Sequence, residues 1–160
     1  MILESLEFDA PVAEVWPPEH HTRILFESPL RNTKTGEYAY EVIKRFMTRA
    51  FRRPVAKDEV DHFYRIYKIY DAEFDTLEQA MRETLAMVLI SPQFLYHMVI
   101  DDAVATKPYE LASRLSYFLW GSMPDKELFD LAASGKLNDP AVIETQTRRL
   151  LADKRAVGFV

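Results

Sequence analysis

"SRLSYFLWGSMPDKELFDLA", residues 113–132, is the stretch on which the fold class turns. Leu111 just before it, with Leu115, Phe118 and Leu119, makes an apolar stripe at helical spacing. Gly121 stands where a helix C-terminus often turns left-handed. Ser122 and Asp125 are spaced as a capping box, with Pro124 inside the first turn. Leu128, Leu131 and Ala132 resume the stripe, and Gly135 marks its stop. The pattern is helix, corner, short helix.

The same grammar extends both ways. Downstream, Asp139-Pro140 opens a last helix with Ile143, Thr147, Leu150 and Leu151 facing inward. It runs into "AVGFV", residues 156–160, an apolar tail without a settled end. Such a tail wants a partner, so the chain is expected to stop before its fold is complete. Upstream, Asp101-Asp102 and Thr106-Lys107-Pro108 mark a break. Three more stripes precede it: Tyr38, Val42, Phe46 and Ala50 with Ile43 beside them; Val60, Phe63, Tyr64, Tyr67 and Tyr70; and Leu77, Met81, Leu85 and Val88 with Ala80 and Thr84. Pro54 ends the first, Asp75 and Glu78 have capping-box spacing before the third, and Ser91-Pro92 restarts the chain as a short turn. Residues 9–35 carry four prolines and no helical period, which reads as an extended arm or linker. The alternation in "ILESLEF", residues 2–8, suggests a short strand.

Composition agrees with helices joined by sharp turns. The 160 residues suffice for one ordinary domain or two small ones, and glycine is scarce at four while proline numbers nine. Cysteine is absent, which excludes disulfides, thiol nucleophiles and thioether-linked haem in this chain. A net charge of −5 argues against nucleic acid as a partner, since phosphate attraction needs a positive field. No apolar run is long enough to span a membrane. "MILESLEFDAPV" lacks the basic start and apolar stretch of a signal peptide.

The strongest candidate site is basic: Lys44, Arg45, Arg49, Arg52, Arg53 and Lys57. Arg45, Arg49 and Arg53 are spaced four apart and are expected to share a helix face. One reading is an anion site built from Arg45, Arg49, Arg52 and Arg53, because arginine forks grip carboxylate, sulfate and phosphate. The other is structural: cations suit a helix C-terminus, Glu41 is placed to pair Arg45, and an arginine can bridge to a neighbouring helix. Of the histidines His20, His21, His62 and His97, the adjacent His20-His21 could take a metal with Glu19 or Glu27, but lack the usual ligand spacing. Gly121-Ser122 lacks the G-x-S-x-G of a nucleophile turn and has no histidine nearby in sequence. Met123 has no haem-attachment motif beside it. Asp125, Glu127 and Asp130 share one short helix, where the helix dipole accounts for them better than glycosidase chemistry does. Phe63, Tyr64, Tyr67 and Tyr70 could stack sugars, but at this spacing read as core.

"RAFRRPVAKDEVDHFYRIY" with "AMRETLAMVLISPQFLYHM" resembles the domain of unknown function 1595. "YELASRLSYFLWGSMPDKELFDLAASGKLNDPAVIETQTRRLLADKRA" resembles the start of the domain 1592 that follows it in large exported proteins of planctomycetes and related bacteria. The resemblance covers roughly residues 36–160. It implies a periplasmic or extracellular setting, the remaining domains of a larger parent protein as partners, and contact with polysaccharide as an option. It implies haem only in an upstream cytochrome-like segment, with no cofactor or metal in this chain. Where the family usually has threonine this chain has Ala56, so one helix cap is expected to be lost; His97 replaces a usual basic residue. The resemblance transfers no catalytic residue.

The expectation is an all-α fold of about six helices in two packed helical units, with a short N-terminal strand and an extended arm. Residues 1–35 would be the strand and linker from an upstream β-domain, 36–100 the first helical domain and 101–160 the N-terminal part of a second. The function read from this is a structural or interaction module of a larger exported protein, leaning away from an enzyme. The alternatives are part of an exported enzyme of polysaccharide or redox chemistry, and a module binding anions or sulfated glycans.

Overall fold

The computed structural model describes residues 15, 17–96 and 106–158. Two one-turn helices, α1 (Glu19–Thr22) and α2 (Leu30–Thr33), lead into α3 (Thr35–Ala50), α4 (Lys57–Glu73) and α5 (Leu77–Leu89), closed by the short α6 (Pro92–Leu95). After the break come α7 (Lys107–Trp120), α8 (Lys126–Ala133), a 3₁₀ turn (Lys136–Asn138), α9 (Pro140–Ala152) and a second 3₁₀ turn (Lys154–Gly158). The fold is all-α, and six helices among the described residues reach seven residues or more. Among the described residues there is no strand, and no helix is long and apolar enough to cross a membrane. The strand expected at 2–8 lies outside the described residues, as does His97.

Two hydrophobic cores account for the two units. In the first, α3, α4 and α5 pack against one another around Tyr38, Val42, Ile43, Met47, Val60, Tyr67, Met81 and Val88. In the second, α7 packs on α8, α9 and both 3₁₀ turns around Leu119, Trp120, Leu128, Leu137 and Leu150.

The arm differs from its sequence reading. Residues 19–33 include two helical turns, and Leu25 is buried in the first core with Phe26 and Leu30 against it. Tyr38 fixes this strap by donating its hydroxyl proton to the Phe26 carbonyl at 2.9 Å. Prolines 17, 18 and 29 break the period, and tertiary burial supplies what local pattern does not.

Two stripes shift. On α3, Phe46 and Ala50 are only half-buried, while Ala39 and Met47 take their places in the core. On α7, Phe118 is 70% exposed, and the buried face runs through Ala112, Ser113, Ser116, Leu119 and Trp120. The small side chains of Ala112, Ser113 and Ser116 leave room for the helices and turns packed on α7, which bulky residues at the same positions would not.

Three caps also differ. Asp125, not Ser122, caps α8: its carboxylate accepts from the Leu128 N–H at 3.0 Å, and Pro124 precedes the helix. Thr76, not Asp75, caps α5 by accepting from the Gln79 N–H. Ser91 precedes Pro92 as expected, but its hydroxyl donates back to the Val88 carbonyl. At Ala56 half a capping box survives, because the Glu59 carboxylate accepts the Ala56 N–H at 2.8 Å. Gly121 has φ 60° and Gly135 φ 69°, the left-handed stops the sequence announced. The chain after α9 folds back, burying Ala156 in the second core.

Candidate functional site

The basic cluster divides in two. α3 ends at Ala50, so Arg53 does not continue the face of Arg45 and Arg49 as its spacing suggested. The chain turns at Arg52, which has φ 59° and is the one non-glycine with positive φ among the described residues. This left-handed step reverses the backbone after the helix, a role usually given to glycine. It sends Arg53 to α4, where two nitrogens meet both Glu59 oxygens at 2.9 and 2.7 Å. Those hydrogen bonds, and then the Ala56 N–H, outweigh burial and hold the Glu59 carboxyl below its ordinary range. Arg53 is therefore a bridge between α4 and the turn before it.

Arg45, Arg49 and Arg52 stay together and line one cavity of about 360 Å³. Its lining also takes His20 of α1 with Arg23 and Ile24 just after it, and Phe46 and Ala50 of α3. Leu89 of α5 and Phe94 of α6 form another wall, and Tyr117 and Met123 come from the second unit. The cavity thus lies where the two units meet. Sequence reasoning assigned Phe46 and Ala50 to the core and did not connect Arg23 or Met123 to the arginines.

The arginines are held differently. Arg45 is bonded to Glu41 at 2.8 Å and lies over the Phe26 ring at 3.8 Å. Arg23 is bonded to Glu19 at 2.7 Å. Arg52 is 7% exposed and donates to the carbonyls of Gln93 and Phe94 at 3.2 and 3.4 Å. Its guanidinium carbon lies 5.8 Å from the centroid of the Tyr117 ring. Among the described residues no carboxylate pairs with Arg52, so its charge is met only by carbonyl dipoles and a ring face. Arg49 is exposed and, among the described residues, makes no ion pair or side-chain hydrogen bond. None of the described residues lining the cavity is acidic. A buried charge without a counter-ion is costly, and an entering anion relieves that cost.

The other candidates resolve into structure. Asp125 pairs with two nitrogens of Arg149 at 2.7 and 3.2 Å while capping α8. Burial pushes its carboxyl up, but Arg149 and the Leu128 N–H together outweigh this and hold it below the usual range. Glu127 accepts from Gln146 at 2.8 Å, and Asp130 pairs with Lys126. Tyr67 is buried and donates to Asp71 at 2.8 Å; burial, then that carboxylate, raises its phenol far above the ordinary range. Tyr64 stacks on Tyr67 with centroids 5.9 Å apart, as expected of core aromatics. Among the described residues no group of three or more histidine or acidic side chains is placed to hold a metal. His62 is exposed. The buried Nδ1 of His21 has no partner among the described residues.

Two family models match the chain. Residues 38–98 match PSD5, a protein of unknown function (DUF1595), and residues 106–160 match PSD4, a protein of unknown function (DUF1592). No curated protein and no solved structure matches it. The matched segments carry the two hydrophobic cores, and both contribute to the cavity: Arg45, Arg49 and Arg52 from the first, Tyr117 and Met123 from the second. The chain therefore belongs to the proteins that carry these two domains of unknown function in tandem.

Proposed function

We propose that the chain is a non-catalytic interaction module of a larger exported protein, and that the cavity between its units binds an anionic group. Export, an upstream cytochrome-like segment and polysaccharide contact come from the family resemblance alone. The division at residues 35 and 100 into arm, first domain and second domain rests on the proline-marked arm and the break before Pro108, together with that resemblance. The anion reading rests on one observation: Arg45, Arg49 and Arg52 converge on a single cavity, with Arg49 unpaired and Arg52 buried without a carboxylate among the described residues. Two arginine forks facing one space are suited to a carboxylate, sulfate or phosphate. An opposed Asp or Glu from a second helix would favour turnover; Leu89 and Phe94 stand there instead, which supports binding.

Calorimetric titration with sodium sulfate, against sodium chloride at equal ionic strength, tests this. Saturable binding of sulfate is expected, weakened at least about fivefold in Arg49→Ala by loss of a charge-assisted fork. It should be unchanged in Lys44→Ala, whose side chain is exposed on α3 and outside the cavity. Equal responses to both salts, or equal loss in both variants, would refute the reading.

A further inference from the structure

The cavity is only partly basic. Phe46, Leu89, Phe94 and Met123 offer apolar side chains to the same space that Arg49 and Arg52 enter. Inorganic sulfate would satisfy the arginines and leave those walls wet. Phe46 packs against the first core but is only half-buried, and it also lines the cavity. Leu89 and Ile90 are likewise exposed at 38% and 62%, at the helix end that borders the cavity. A volume of about 360 Å³ falls at the small end of the range for organic-ligand sites, roughly 300–1,000 Å³.

We infer that the natural occupant is a small organic monoanion: one carboxylate or sulfate head held by Arg49 and Arg52, with a short alkyl or aryl body on Phe46, Leu89, Phe94 and Met123. This deepens the anion-binding reading and rests on it. The head supplies the missing counter-charge for Arg52, and the body removes apolar surface from water. Because Met123 belongs to the second unit and the other five residues to the first, the body also bridges the units. The ligand is then a small molecule that fastens the two domains together.

A chain-length series on the whole chain tests this: acetate, butyrate, hexanoate, phenylacetate and hexanol, with inorganic sulfate beside them. A fully buried methylene adds about fourfold to affinity, so burial of even two of hexanoate's four extra methylenes should make it bind at least about tenfold tighter than acetate. Leu89→Ala should flatten that dependence without abolishing sulfate binding, and Arg49→Ala should weaken every anion. Leu89 is partly exposed, so its truncation spares the core, and thermal melting of each variant confirms folding. Acetate, hexanoate and sulfate binding equally would overturn the organic-anion inference and leave the anion site standing. Hexanol binding as tightly as hexanoate while sulfate still binds would overturn the organic-anion inference alone, and no anion binding at all would overturn both.

Discussion

Arg52 and Tyr117 join the two helical units: the guanidinium carbon lies 5.8 Å from the ring centroid while the guanidinium donates to the Gln93 and Phe94 carbonyls. One side chain thus ties the turn after α3 to α6 and to α7. It does so from a left-handed backbone that costs an L-residue about 1–2 kcal/mol.

Two opposing effects can be separated at this position. Arg52→Ala keeps the strained φ and removes the hydrogen bonds, so it should destabilise the chain by about 2–4 kcal/mol. Arg52→Gly removes the same bonds but relaxes the backbone, and should be more stable than the alanine variant by about 1 kcal/mol. Urea unfolding of the pair measures the difference. An alanine variant as stable as the glycine variant would refute the strain.

In the second unit, Trp120 is buried and donates its indole N–H to the Leu150 carbonyl at 2.9 Å, while Arg155 covers its ring at 3.4 Å. Trp120→Phe should cost about 2 kcal/mol from the lost hydrogen bond and the weaker cation–π platform. The Leu150 carbonyl still accepts from the Asp153 N–H, which keeps the loss from being larger. A lower urea midpoint with unchanged slope is the expected readout.

Asp125 makes stability depend on pH. Its folded-state carboxyl lies below its unfolded value, near 3.9, so its contribution is present above about pH 4 and fades as pH falls through the lower, folded value. Asp125→Asn loses the ion pair with Arg149 but keeps a capping oxygen. It should cost about 1–2 kcal/mol at pH 7. The gap from wild type should narrow below pH 4. A gap that widens in acid would contradict the assigned ion pair.

Ala56→Thr should stabilise. Ala56 has the extended backbone of an N-cap at φ −72° and ψ 158°, and the Glu59 half of the box is already in place. A threonine oxygen there can accept a second helix N–H, a gain of about 0.5–1 kcal/mol. Thermal melting of the single variant checks it.

Helix starts and stops were legible wherever a single residue type has a single use. Gly121 and Gly135 stop helices because only glycine takes φ near 60° without strain, and Pro92 and Pro140 sit in first turns. The buried rows of α4 and α5 followed from helical spacing. The row on α7 did not, because its partners select a face by packing, and Ser113 and Ser116 carry no apolar signal. The basic cluster was legible as a composition but not as a site. Spacing joined Arg53 to Arg45 and Arg49, whereas the left-handed turn at Arg52, a residue with no sequence signal for that conformation, sent it to Glu59. Arg23 and Met123 join the cavity across long chain separations that local pattern cannot report.

The most direct test follows the arginine side chains themselves by ¹⁵N NMR of their Nε–H groups during a sulfate titration. The account predicts saturable shifts at Arg49 and Arg52. Arg53, locked to Glu59, and Arg148, paired with Glu144 on α9, should barely move. Parallel, non-saturating shifts at every exposed arginine, with Arg49 indistinguishable from Arg148, would contradict it.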